Sequence, residues 1–93
     1  MDARRVHVSV RGHVQGVGYR YATRHAAEDR GVSGWVRNRR DGTVEAALEG
    51  SPTAVASLLA WMRHGPPGAA VDDLVTAEET PIGVRGFEIL RTE

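Results

Sequence analysis

Residues 6–20 read VHVSVRGHVQGVGYR and join an alternating segment, a glycine loop and the start of a helical pattern. Valine at every second position predicts a half-buried strand. The two loop glycines let several backbone N–H groups point at one place, and the N-terminus of the following helix adds unpaired N–H groups. Together with the guanidinium of Arg20, whose fork geometry suits phosphate, the stretch predicts a phosphate cradle.

The predicted cradle has six members. Arg20 supplies the charge, and the backbone donors come from Gln15, Gly16, Val17, Gly18 and Tyr19. A cation in the first turn of a helix opposes the helix dipole unless an anion is bound there, so its position favours a functional role for Arg20. The Gln15 side chain either donates to the ligand or pins the loop, and the sequence leaves both open.

The rest of the chain continues this strand–helix rhythm. We predict a first helix over residues 20–30 that ends at Gly31, strands over 34–38, 44–48, 71–77 and 87–90, and a second helix that opens at Ser51-Pro52 and ends before GPPG at 65–68. Asp41-Gly42 predicts a two-residue hairpin turn. This order predicts one domain over residues 1–93, an α+β ferredoxin-like sandwich with two helices on one face of an antiparallel sheet and a short C-terminal strand.

Composition limits the classes of function. The 93 residues include no cysteine, which excludes disulfides and thiol chemistry, and the formal net charge of zero argues against broad nucleic-acid binding. The charge is uneven, because residues 1–40 hold nine arginines against three acids and residues 41–93 hold three against nine. No stretch resembles a membrane span or a signal peptide, so we expect a soluble cytoplasmic protein.

Asn38 is the second candidate for chemistry. It ends a predicted strand, and its neutral amide, which both donates and accepts hydrogen bonds, suits the orientation of a water against phosphorus. A turn-forming role explains the same position, and spacing alone does not decide. Thr43, beside the hairpin, either supplies a supporting hydrogen bond or simply favours a strand.

Metal or cofactor chemistry is not expected. The four histidines, His7, His13, His25 and His64, show no spacing typical of metal ligands. Asp72-Asp73, the adjacent acidic pair near a strand start, is better explained as a solvated edge.

Longer motifs carry a family resemblance. GHVQGVGYR at 12–20 and GWVRNRRDGTVEAALEG at 34–50 resemble the two signatures of the acylphosphatase family, and GPPGAAVDD at 65–73 and GFEI at 86–89 resemble its bacterial and archaeal members. The resemblance covers residues 4–91. One departure is Tyr19, where the family commonly has Phe, and its hydroxyl needs a partner if it is buried.

The resemblance implies metal-independent hydrolysis of the carboxyl–phosphate bond of acyl phosphates. Arg20 matches the family's phosphate-binding arginine, and Asn38 matches its water-orienting asparagine. We therefore expect a monomer that acts on a small-molecule acyl phosphate and needs no cofactor, membrane or nucleic acid.

Two other interpretations share this fold. Ferredoxin-like domains also serve as non-catalytic anion- or RNA-binding modules, in which aromatic side chains on the sheet stack with bases; Trp35 is the main candidate here. Similar domains also begin larger enzymes that handle carbamoyl phosphate.

Overall fold

The computed structural model of the chain describes residues 2–93. Its elements, in chain order, are β1 (Arg4–His13), α1 (Tyr19–Arg30), β2 (Ser33–Asn38), β3 (Val44–Gly50), α2 (Pro52–Met62), β4 (Ala70–Glu79) and β5 (Phe87–Ile89).

The five strands form one sheet in the order β4-β1-β3-β2-β5. β1 lies antiparallel to both β3 and β4, and β2 lies antiparallel to β3. Both helices pack on one side of the sheet, as the split βαβ order requires. The ferredoxin-like prediction is therefore confirmed.

The core lies between the sheet and the helices. Val6, Val8 and Val10 of the interior strand β1 are fully buried, which the valine alternation predicted. The second helix presents the predicted apolar stripe, and the buried members of the stripe are Val55, Leu58, Leu59 and Met62. Because β1 is hydrogen-bonded to β3 and β4 and one of its faces packs in this core, its C-terminal end is a rigid base for the loop that follows.

The helix ends follow the predicted capping residues. Gly31 adopts the left-handed conformation at the end of α1, with φ of 68°. The hydroxyl of Ser51 accepts a hydrogen bond from the backbone N–H of Ala54 at the start of α2. The C-terminus of α1 and the N-terminus of α2 are thus set by local chemistry.

The structure corrects three details. The predicted two-residue turn at Asp41-Gly42 is wrong, because Arg39 N–H still donates to Thr43 C=O and leaves a three-residue turn, with Gly42 at φ of 94°. β4 is longer than predicted at both ends, since it pairs with β1 nearly throughout. β5 runs parallel to β2, so the sheet is mixed, and no local signal in three residues encodes that direction.

Candidate active site

The loop between β1 and α1 depends on glycine for its shape. Gly16 and Gly18 both have φ of 76°, in the left-handed region that residues with a Cβ rarely adopt. A Cβ built on either residue would meet no atom within 4 Å, so open space lies in front of the loop. The glycines are therefore needed for backbone conformation, and the space they face is available to a ligand.

Backbone donors in this loop are free. The N–H groups of residues 15–19 donate to no acceptor within residues 2–93, although Gly18 C=O accepts from Ala22 N–H. The first turn of α1 contains no acidic residue, and no side chain caps its N-terminus. The structure thus combines free donors with the positive end of a helix dipole, as an anion site requires.

Arg20 lies in this first turn and is half-buried. Among the described residues its guanidinium has no carboxylate partner, whereas most arginines on the sheet do have one. An arginine without a carboxylate partner, one residue after the loop with its free N–H groups, favours the binding of an anion with several oxygens.

Gln15 ties the loop to the β2–β3 hairpin. Its side-chain amide donates to Arg39 C=O at 2.7 Å and to Thr43 C=O at 2.8 Å. Both of its amide hydrogens are therefore used within the protein. Of the two roles left open by the sequence, the structure favours the pinning role for this side chain, while its backbone N–H stays free.

Asn38 lies at the end of β2, in register with Val44 of β3, which in turn pairs with Val10 of β1. The end of β2 and the loop are thus at the same end of the sheet, where Gln15 connects them. The side-chain oxygen Oδ1 of Asn38 is buried, and it is the only such buried side-chain atom without a hydrogen-bond partner within residues 2–93. A buried acceptor left unpaired is destabilising unless a ligand or water completes it.

Tyr19 shows how the departure from phenylalanine is accommodated. Its ring is buried, and its hydroxyl donates to the backbone C=O of Met62 at 2.7 Å. Met62 is the last residue of α2, so this hydroxyl satisfies one of the carbonyls that a helix end leaves unpaired. Burial raises the pKa of the Tyr19 hydroxyl above its ordinary value, which keeps the hydrogen-bond donor in place.

Thr43 belongs to the hairpin turn. Its hydroxyl and its backbone N–H both donate to Oδ1 of Asp41, at 2.6 and 2.9 Å. These bonds, led by the one from the hydroxyl, hold the pKa of Asp41 below its usual value. The hydroxyl is thus engaged with the turn, and the backbone C=O of Thr43 is the group that reaches the loop through Gln15.

Other features of the chain lie apart from the loop. No group of three or more possible metal ligands occurs within residues 2–93. None of the helices in that range is long and apolar enough to cross a membrane. Trp35 is half-buried on the face of the sheet without helices, where Arg37 lies 4.9 Å from its ring centre and His7 meets its edge.

The sequence and the structure agree on one family. The acylphosphatase family matches residues 6–89, which include the glycine loop, Arg20 and Asn38. The chain belongs to the acylphosphatase family. It is 56% identical over 88 residues to an acylphosphatase of Gloeobacter violaceus, with 95% of each chain covered.

Solved structures of the family share the fold. The chain superimposes on a crystal structure of acylphosphatase from Bacillus subtilis with a TM-score of 0.91 and 36% identity, covering 94% of this chain and 98% of that one. For an acylphosphatase from Coxiella burnetii the TM-score is 0.92 at 34% identity, with 96% and 94% covered. The family resemblance noted in the two signatures is therefore confirmed.

Proposed function

We propose that the chain hydrolyses acyl phosphates by in-line attack of a water held by Asn38 on a phosphoryl group bound by Arg20 and the backbone N–H groups of residues 15–19. The type of activity follows from membership of the acylphosphatase family. The assignment of each step to a residue is the proposal.

One observation carries this assignment. At a single end of the sheet, the loop has free N–H groups and Asn38 has an orphaned Oδ1, and the first turn of α1, which follows the loop, carries Arg20 without a carboxylate partner among residues 2–93. Native proteins pair nearly all of their buried polar groups, so this concentration of unpaired groups indicates a ligand. The donors match the oxygens of a phosphoryl group, and the acceptor matches a proton of water.

The chemistry needs little more equipment. Water oxygen forms a bond to phosphorus while the bond from phosphorus to the acyl oxygen breaks, and the electron pair leaves with the carboxylate. The conjugate acid of that carboxylate has a pKa of about 4, so the leaving group needs no general acid at neutral pH. The proton lost by the water passes to a phosphate oxygen, and the products are a carboxylate and inorganic phosphate.

Each residue has a distinct task in this scheme. The guanidinium of Arg20 and the loop N–H groups neutralise charge on the phosphoryl oxygens as the bonds rearrange, the main contribution in phosphoryl transfer. Oδ1 of Asn38 accepts from the water and orients its lone pair toward phosphorus. Gln15 holds the loop beside Asn38 through the hairpin, and Thr43 supports it through its backbone carbonyl.

Hydrolysis of benzoyl phosphate in the presence of a chelator tests the scheme. We expect full activity with chelator, and loss of both phosphate affinity and kcat in Arg20→Ala. The matched control is Arg24→Ala, an exposed arginine one turn further along α1, which should leave both unchanged.

Asn38→Ala should lower kcat on the order of 10²-fold and leave competitive inhibition by inorganic phosphate unchanged. Hydrolysis in ¹⁸O-labelled water should place the label in phosphate. Unchanged turnover in Asn38→Ala, or label in the carboxylate, would remove the proposed attack.

A further inference from the structure

On the face of the sheet that carries no helices, the side chain of Glu45 contacts three other side chains, on β1, on β2 and in the β2–β3 turn. Its Oε1 accepts from Nε of Arg37 at 2.7 Å and from a terminal nitrogen of Arg39 at 3.2 Å. Its Oε2 lies 2.6 Å from Nε2 of His7 on β1. The side chain of Glu45 is 16% exposed, so these contacts are shielded from most of the solvent.

The two arginines that Glu45 binds are the neighbours of Asn38 on either side. Side chains alternate along a strand, so Arg37 and Asn38 project from opposite faces of β2. Arg39, the residue after the strand, reaches Glu45 on the same face as Arg37. Glu45 stands opposite Arg37 in the β2–β3 register, which makes the contact a direct cross-strand pair. One carboxylate thus fixes the chain immediately before and after the proposed water-holding residue.

The same contacts reach the loop. Arg39, which Glu45 holds by its side chain, accepts the amide of Gln15 on its backbone C=O and donates its N–H to Thr43 C=O. A shift of Arg39 would therefore move the hydrogen bond that anchors the loop as well as the strand end that carries Asn38.

We infer that Glu45 is a positioning residue for the reaction, setting the place of Asn38 against the bound phosphoryl group without touching the substrate. This inference rests on the proposed role of Asn38. Burial opposes the ionisation of Glu45, but the hydrogen bonds from His7 and Arg37 outweigh it and hold the pKa of the carboxyl below its usual value. Glu45 therefore stays charged at neutral pH and can hold both guanidinium groups.

A double-mutant cycle on kcat tests whether Glu45 acts through Asn38. Misplacing a reacting group by about 1 Å can lower a rate on the order of 10²-fold, so Glu45→Gln, which keeps the size but loses the charge, should lower kcat by about tenfold. KM and the inhibition constant of inorganic phosphate should stay within about twofold, because Gln15 still anchors the loop through the backbone C=O of Thr43. In the Asn38→Ala background, Glu45→Gln should have almost no further effect.

Two variants serve as controls. Glu78→Gln removes another carboxylate, the exposed partner of Arg4 at the edge of the sheet, and should leave kcat unchanged. Glu45→Asp keeps the charge on a shorter side chain, and its kcat should lie between those of wild type and Glu45→Gln. All rates are measured below the unfolding midpoint of each variant, so a loss of folded protein does not imitate the effect.

The outcomes separate the two ideas. An unchanged kcat in Glu45→Gln, or the same fold-loss with and without Asn38, overturns the inference while leaving the proposed function standing. An unchanged kcat in Asn38→Ala removes the proposed role of Asn38 and the inference together. A loss confined to KM assigns Glu45 to the cradle instead, and also overturns the inference.

Discussion

The arginines near the two ends of β1 differ in whether they have carboxylate partners. At its start, Arg5 is only 8% exposed, and its guanidinium binds Glu49 at 3.2 Å and Glu79 at 2.9 Å. Beyond its other end, Arg20 has no carboxylate partner among residues 2–93, although it is half-buried. The first arginine is used within the fold, and the second is left available to a ligand.

Acceptors at the two ends differ in the same way. Glu49, beside Arg5, also accepts from the backbone N–H groups of Ile82 and Gly83, at 3.0 and 2.7 Å. Those bonds, led by the one from Ile82, hold its pKa below the usual value. Asn38, at the loop end, keeps a buried oxygen with no partner. The contrast teaches that pairing marks the end that stabilises the fold, and lack of pairing marks the end where we propose that the phosphoryl group binds.

The largest effects should come from removing each arginine. Arg5→Ala leaves the buried Glu49 without its charge partner and should lower the free energy of unfolding by about 3–5 kcal/mol, with little change in kcat of the folded protein. Arg20→Ala should lower kcat/KM on the order of 10³-fold and leave stability nearly unchanged. Urea unfolding and benzoyl phosphate hydrolysis measure the two quantities, and similar stability losses in both variants would break the comparison.

A smaller effect is expected at Tyr19, whose side-chain hydroxyl is paired although its backbone N–H, at the start of α1, is one of the free donors. Tyr19→Phe removes the hydroxyl that bonds Met62 C=O and leaves a buried carbonyl unpaired, so it should lower the free energy of unfolding by about 1–3 kcal/mol. Tyr21→Phe, at a 63% exposed position on the same helix, should change it by much less. Equal effects at the two sites would contradict the role given to this bond.

The same tyrosine predicts a loss of stability in alkali. Because burial raises the pKa of Tyr19 in the folded state, the folded protein holds a proton that the unfolded chain releases near its ordinary pKa of 10.0. This contribution is fully present below that pH and is lost as pH rises toward the folded pKa. Between neutral pH and pH about 11, the free energy of unfolding should fall more steeply with pH in wild type than in Tyr19→Phe, and urea unfolding at each pH measures it.

Glycines at the two ends offer a matched pair with a smaller effect. Gly16 in the loop and Gly83 beside Glu49 have φ of 76° and 77°, and a Cβ on either would meet nothing within 4 Å. Alanine at each should therefore destabilise the fold similarly, by about 1 kcal/mol. Only Gly16→Ala should raise KM for benzoyl phosphate, because its new methyl group enters the space in front of the loop. An equal rise of KM in both variants would show that backbone strain, and not the methyl group in front of the loop, causes the change.

The smallest effect is expected at an exposed ion pair. Arg11 and Asp73 lie 3.7 Å apart with side chains 67% and 51% exposed. Asp73→Asn should change the free energy of unfolding by less than about 0.5 kcal/mol and leave activity as it was. Thermal unfolding at low and high salt measures this, and a loss as large as that in Arg5→Ala would show that pairing alone does not distinguish the two ends.

Local chemistry explains which parts of this structure the sequence could predict. The alternating valines of β1, the stop at Gly31 and the cap at Ser51 act over a few residues, and each has the predicted place in the structure. The predicted turn at Asp41-Gly42 is one residue too short. The hydrogen bond from Arg39 N–H to Thr43 C=O sets the length of the turn, and it depends on how β2 and β3 pair.

The non-local contacts were not predictable from spacing. The two bonds of Gln15 span 24 and 28 residues, and the Tyr19 hydroxyl reaches a carbonyl 43 residues away. The cluster around Glu45 left only a weak signal, the alternation that puts Arg37, Arg39 and Glu45 on one face. The sequence predicts which residues form the candidate site. It does not predict that their polar groups lack partners, because that depends on how the whole chain packs.

The two amide bonds of Gln15 have a consequence for how this protein can vary or be engineered. Because one amide group donates to the carbonyls of both Arg39 and Thr43, these two carbonyls must stay close together. The turn between the two residues is therefore held at three residues. A peptide tag inserted there would pull apart the two carbonyls that hold the loop, even though the turn itself is exposed and loop tips ordinarily accept insertions. Natural and designed relatives with this glutamine should therefore conserve the number of residues in that turn more strictly than their identity.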